Sequence, residues 1–274
     1  MRLYLLFCIL CLLWCLPVGA QTAADSTDVP SVRPATEHCW LWGAGSGNVL
    51  DTYLSPLEYT GPNFSLLHRT ERPFSRRNQR LKVQGLYTGH LAYLHSPTDD
   101  GKEWDAEISA AGGCLYDLYH TPHWRLAAGA LAELTGGFTY NTRGSNNPAQ
   151  GRLGISLSAT ALAQYAFRFF RHPAKVTVQT DFQMVGAQFS PEYGQSYYEI
   201  FSLGHTSGIV HFTHPGNCPT GRLQAYLTLP LCRANWTLGY LADVRQSKLG
   251  GLKRHAWRNC FMIGYTRHLQ LIRP

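Results

Sequence analysis

The sequence predicts an all-β protein, a transmembrane antiparallel up-and-down β-barrel of twelve strands, with ten as the alternative count. Three observations carry the prediction. Polar and apolar side chains alternate with period two over stretches that reach about 18 residues, whereas strands of compact soluble domains usually run about 3 to 10. Only 15% of the residues are charged against 45% hydrophobic and 12% aromatic, where an ordinary soluble domain carries about 25% charged. Aromatic residues gather near the strand ends, as an interfacial girdle requires (Phe138 and Tyr140; Tyr165, Phe167, Phe169 and Phe170; Trp236 and Tyr240). The mean hydropathy of -0.19 is too polar for a bundle of membrane helices.

In chain order, Arg2, the apolar run Leu3 to Leu16 and the small-residue exit Pro17-Val18-Gly19-Ala20 read as a secretory leader cleaved after Ala20. Residues 21–36 are small, polar and interrupted by Pro30 and Pro34, which reads as a flexible linker. The barrel is expected to fill 37–274. Its predicted strands are 38–47, 61–70, 80–95, 103–117, 123–140, 151–170, 174–188, 196–203, 207–213, 220–229, 234–247 and 255–269.

The alternation is clearest in the seventh, where Lys175, Thr177, Gln179, Asp181 and Gln183 oppose Val176, Val178, Phe182 and Met184. In a soluble barrel the apolar face turns inward; in a membrane barrel it meets lipid and the polar face lines the lumen. Tight turns are expected at 119–122, 171–173 and 230–233, and longer loops at 48–59, 96–102, 141–151 and 248–254. If 190–205 were one loop, the tight turn near Pro230 would land on the outer side and the chain would end outside; one more strand at 196–203, with a return over 207–213, restores the parity, because both termini of such a barrel lie on the periplasmic side.

Five cysteines follow the leader: Cys39, Cys114, Cys218, Cys232 and Cys260. Their odd number and wide scatter fit neither a disulfide framework nor a zinc site, so no metal or cofactor is expected. The net charge is +7, or +6 without Arg2. No basic, aromatic-interleaved module suggests nucleic acid.

The stretch Asn48-Val-Leu-Asp-Thr-Tyr-Leu-Ser-Pro-Leu-Glu-Tyr-Thr-Gly61, together with Tyr197-Tyr-Glu-Ile-Phe-Ser-Leu-Gly204, Gly208-Ile-Val-His-Phe212 and Phe261-Met-Ile-Gly264, resembles an uncharacterised Bacteroidota family of outer-membrane β-barrels of unknown function. The resemblance spans the chain after the leader and implies a Gram-negative outer membrane, with no catalytic residues to carry over. It departs from the family pattern at His205, where Asn is expected. The motif residues Leu50, Asp51, Thr52, Tyr53, Leu54, Ser55, Pro56, Glu58, Tyr59 and Gly61 are turn-forming yet apolar, and predict a folded loop packed as a plug or against the rim.

Three functions remain open. The lumen-facing charges expected from alternation are Lys82, Asp105, Glu107, Arg125, Glu133, Arg152, Arg168, Lys175, Asp181, Arg222, Asp243 and Arg245. Seven bases over five acids suit a narrow passive channel for small anionic solutes, unless the charges pair and close it. Alternatively the barrel is a structural or assembly partner of another envelope protein. An enzyme is the third reading: His205 and Ser207 have the i, i+2 spacing that shares a face on a strand, and resemble the histidine-activated serine of outer-membrane lipid hydrolases, but no third orienting residue accompanies them. Lipid and lipopolysaccharide are the expected surroundings, with Arg143 and Arg152 around one loop and Lys248, Lys253 and Arg254 around another placed to meet phosphates.

Overall fold

The computed structural model describes residues 35–75, 78–144, 147–170, 172–231 and 234–269. The leader, all of the linker before residue 35, and Cys232 lie outside them. The strands are β1 (Thr36–Asp51), β2 (Tyr59–Pro73), β3 (Leu81–His95), β4 (Lys102–His120), β5 (Trp124–Asn141), β6 (Ala149–Phe169), β7 (His172–Phe189), β8 (Val210–Thr213), β9 (Gly221–Leu231), β10 (Ala234–Leu249) and β11 (Leu252–Leu269). One short helix, α1 (Tyr197–Phe201), precedes β8.

Ten strands close the wall in the order β1 to β7, then β9, β10 and β11, which pairs back onto β1; every pairing is antiparallel. Closure leaves no sheet edge around the wall, the condition for a sheet to cross hydrocarbon with its backbone groups paired. From Trp124 the ladder runs through Tyr165, Val176, Leu227, Leu238, Ile263, Trp42, Leu66, Gly89 and Ile108. It returns to β5 at Gly136, twelve residues further along (136 − 124). Ten strands with that stagger tilt by roughly 40° from the barrel axis.

The count of ten corrects the twelve-strand expectation at two places. Residues 196–203 form α1 instead of a strand, because Ser196 and Glu199 build a capping box: the Ser196 hydroxyl accepts from the Glu199 N–H while the Glu199 carboxylate accepts from the Ser196 N–H. Residues 207–213 and 220–229 are not neighbouring strands either. Both lie on the same edge of β7, Thr213 opposite Gly186 and Gly221 opposite Phe182, so β8 continues the line of β9 past the loop 214–220.

The expected loop 248–254 is a two-residue turn. Gly250 and Gly251 both have positive φ (55° and 79°), the backbone a two-residue hairpin requires, and the strands run straight through Lys248 and Arg254. The loops 52–58, 96–101, 142–148 and 190–209 share one end of the barrel with that turn; the chain enters β1 and leaves β11 at the other.

The exterior is apolar. Ile108 is 70% exposed and Phe261 78%, with Leu134, Ile155, Leu238 and Ile263 beside them. Aromatic residues border this band at both ends. Tyr93 packs on Trp104 at 4.6 Å near the loops, and Trp124 on Tyr165 at 4.6 Å near the termini. The buried side chains facing the axis are mostly polar, the inversion that defines a transmembrane barrel.

Candidate functional site: the charged interior

Three layers fill the lumen. Toward the termini, Arg69 pairs with Glu71 (2.7 Å) and donates to the Tyr226 hydroxyl, Arg125 bridges Glu71 and Asp117 (both 2.7 Å), and Lys175 pairs with Glu37 (2.7 Å). Above it lies an apolar waist of Leu41, Leu67, Leu86, Leu131, Leu241 and Met262, none more than 4% exposed. A reciprocal amide pair, Gln84 with Gln179 at 2.9 Å, crosses the barrel nearby.

Toward the loops sits a second and denser charge network. Arg258 of β11 reaches Asp105 (2.6 Å) and Glu107 (3.1 Å) on β4 and Asp243 (3.3 Å) on β10. Arg245 of β10 bonds Glu107 (2.7 Å) and Glu133 (2.8 Å), and Arg222 of β9 bonds Glu133 (2.6 Å) and Asp243 (3.3 Å). Arg152 of β6 holds Asp105 (2.8 Å). Each arginine therefore ties strands that are not neighbours in the wall. Taking two charges out of water costs several kcal/mol per ion, which only such multiple short bonds recover.

Of the twelve charges expected in the lumen, Asp105, Glu107, Arg125, Glu133, Arg152, Asp181, Arg222, Asp243 and Arg245 are buried inside. Lys82 and Lys175 are half-buried and paired, and Arg168 is exposed at the end of β6. Arg152 and Arg254 are interior rather than loop residues; Arg143 is exposed and pairs with Asp100 at 2.7 Å, and Lys248 and Lys253 are exposed. The expectation omitted Glu37, Asp51, Arg69, Glu71, Asp117, Arg254 and Arg258. For β11 the reason is that Ala256, Cys260 and Met262 share the inward face with Arg254 and Arg258, so polar alternation is broken by the waist. The signal that was available is the outward series Trp257, Phe261, Ile263 and Tyr265, which fixes the parity.

The motif segment 50–61 folds against the rim. Asp51 points inward and is buried, with Arg152 at 3.7 Å, and its carboxylate accepts from the Tyr53 N–H. Ser55 is buried and accepts from the Leu57 N–H, Thr52 donates to the Lys253 carbonyl, and the buried Tyr59 hydroxyl accepts from Asn141. Tyr53 donates to the Gln195 carbonyl and meets Tyr197 edge-on at 5.9 Å. Burial there, helped by Tyr197, pushes the Tyr53 hydroxyl up to about 12. Leu50 and Leu54 are half-buried, Pro56 and Glu58 exposed, and Gly61 lies in β2 opposite Gly47.

His205 and Ser207 are exposed in the loop between α1 and β8, not on a strand, so the shared-face geometry that would activate the serine is missing. Among the described residues no hydrogen bond joins the two side chains, and the His205 backbone is tied instead to Glu199 and Gln195. Cys39, Cys114, Cys218 and Cys260 are free thiols, and among the described residues no cluster of three metal-binding side chains occurs.

A closed antiparallel wall, apolar outside and charged within, defines the class: an integral membrane β-barrel without an evident catalytic constellation among its described residues. The chain belongs to the family described as "Protein of unknown function (DUF3316)", which matches residues 4–274. No curated protein matches it. Among solved structures it is similar to the outer membrane protease OmpT from Escherichia coli (7% identity, 89% of this chain and 100% of that one, TM-score 0.48). It is also similar to the transport unit of the autotransporter AIDA-I from Escherichia coli (9% identity, 89% and 93%, TM-score 0.39). An outer membrane channel from Pseudomonas putida F1 is a third (10% identity, 90% and 100%, TM-score 0.36). Such distant likeness lends this chain none of their activities.

Proposed function

We propose that the chain is exported by its leader, cleaved after Ala20, and inserted in the outer membrane of a Gram-negative bacterium, of the Bacteroidota by its motif resemblance, as a barrel whose lumen is sealed. The loop-bearing end faces outward and the termini face the periplasm, as in barrels of this type. One observation carries the sealed reading: the waist leucines and the loop-side charge layer are buried, so an ion entering the lumen from the loops meets paired arginines and then a buried apolar ring. Ten strands lie close to the eight-stranded barrels that side chains fill and far from the sixteen-stranded ones that hold water.

The test is planar-bilayer recording of the purified protein after its insertion has been verified by protease protection. A flat baseline is expected. Reproducible conductance steps from the wild-type protein refute the sealed lumen and favour the second reading, a narrow passive channel for small anions, which requires the waist leucines to part. The exposed Lys248 and Lys253 beside the outer rim suit contact with lipopolysaccharide phosphates.

A further inference from the structure

Beneath the loop 214–220, on the lumen side of the outer rim, lies a cavity of about 50 Å³. A single ordered water needs roughly 10–15 Å³ on this measure, so the space suits three or four waters or one small oxyanion. Three arginines, Arg152, Arg245 and Arg254, border it against one carboxylate, Glu107, with Thr135 and Gln183 among the uncharged lining.

Two of the arginines that line the cavity do not use all their donors. Nε and Nη2 of Arg254 are buried and make no hydrogen bond, and the same is true of Nε of Arg152. The nearest carboxylate oxygens to Arg254 stand off at 3.5 Å (Asp105), 3.6 Å (Glu107) and 3.9 Å (Asp51). Each of those oxygens also faces another arginine. Asp105 Oδ1 takes short bonds from Arg152 (2.8 Å) and Thr139 (2.7 Å), Arg258 stands 3.5 Å from Glu107 Oε2, and Arg152 stands 3.7 Å from Asp51 Oδ2. Arg254 is thus the loosely held arginine of the network: its side chain is 8% exposed, it has no carboxylate contact shorter than 3.5 Å, and it lines the cavity. A buried guanidinium left unbonded carries the full desolvation penalty of its donors, which a bound anion would relieve.

We propose that this cavity is a binding site for a small oxyanion, a free carboxylate or phosphate, with Arg254 as its principal ligand and Arg152 as its second. The planar guanidinium fork matches a two-oxygen group, which a point-like cation would not select. The site stands whether or not the lumen conducts, since it requires access only from the outer rim.

Isothermal titration of the full-length protein in detergent with inorganic phosphate, and separately with acetate, tests it at constant ionic strength against chloride. Saturable binding is expected at concentrations up to roughly 10 mM. Arg254→Gln should weaken it by roughly tenfold or more, while Arg143→Gln, an exposed loop arginine, leaves it unchanged. Ser156→Leu, which fills the cavity from β6 and removes no charge, should abolish binding and keeps the test decisive if Arg254→Gln fails to fold. No saturable binding to the wild type, or equal affinity in the wild type and Ser156→Leu, overturns the proposal.

Discussion

Replacing Arg258 by Met removes the guanidinium that holds β11 to β4 and β10, and the cost can be worked from its partners. Its side chain is 1% exposed and touches three carboxylates, at 2.6, 3.1 and 3.3 Å. Breaking a buried ion pair from one side costs about 3–5 kcal/mol, because the remaining charge is left uncompensated. Here each carboxylate retains another arginine: Asp105 keeps Arg152 at 2.8 Å, and Glu107 and Asp243 keep Arg245 at 2.7 and 3.2 Å. The expected loss is therefore near the lower figure, about 3 kcal/mol. Equilibrium urea unfolding in detergent micelles, followed by tryptophan fluorescence, reads it directly. Adding Glu107→Gln to Arg258→Met should cost less than the two single losses summed, by about 1–3 kcal/mol. Arg143→Ala, which breaks an exposed pair, should stay within about 0.5 kcal/mol. A loss under about 1 kcal/mol for Arg258→Met, or strict additivity with Glu107→Gln, refutes the cross-lumen network as a source of stability.

Two further outcomes test other parts of the structure. Ile108→Arg places a charge on the exterior of β4, where the residue is 70% exposed; a lipid-facing site near the midplane should lose roughly 2–4 kcal/mol of folding into bilayers, whereas a water-facing site would change by less than about 0.5 kcal/mol. Ser196→Ala should raise amide exchange in residues 197–203 roughly fivefold by removing the cap of α1. Hydrogen bonds from the Ser196 N–H and hydroxyl hold the Glu199 carboxyl below its ordinary value. A depressed carboxylate stabilises above its unfolded value and the benefit fades as pH falls through the folded one. Protection of α1 should accordingly be flat near neutrality and drop below the usual glutamate range; protection that instead fell on raising the pH from 6 to 8 would contradict the capping box.

The wall was legible because its signal is periodic. The outward faces of β6, of β7 and of β4 beyond Lys102 carry no Asp, Glu, Lys or Arg, so Ile108, Leu153, Ile155 and Phe182 reveal their orientation without any partner being known. The region 190–220 was not legible by the same rule. Its apolar residues belong to a helix one turn long and to a four-residue strand, too short for either period to register, while the local signal, Ser196 three residues before Glu199, is a capping pattern. Arg254 was misplaced for a similar reason. The basic cluster Lys248 to Arg254 reads as a solvated loop until Gly250-Gly251 is taken as a two-residue turn, which sets Lys253 outward and Arg254 inward. Pairing across the lumen is a property of closure and stagger, and no single strand carries it.

That stagger also connects the seal to the stability of the wall. Arg258 on β11 meets Asp105 and Glu107 on β4, four steps away around the barrel, and Arg222 on β9 meets Glu133 on β5, three steps away through β7 and β6. Each bond is a chord across the lumen, so the side chains that obstruct the passage are the ones that brace its circumference. Opening a pathway would require breaking chords on several strands at once and then parting Leu41, Leu86 and Leu131 in the waist, whose burial is nearly complete. Arg254 is the exception: it obstructs without bracing, since none of its carboxylate contacts is shorter than 3.5 Å. An anion bound there would not need to displace any chord, which places ligand recognition in the one part of the network where the wall does not depend on it.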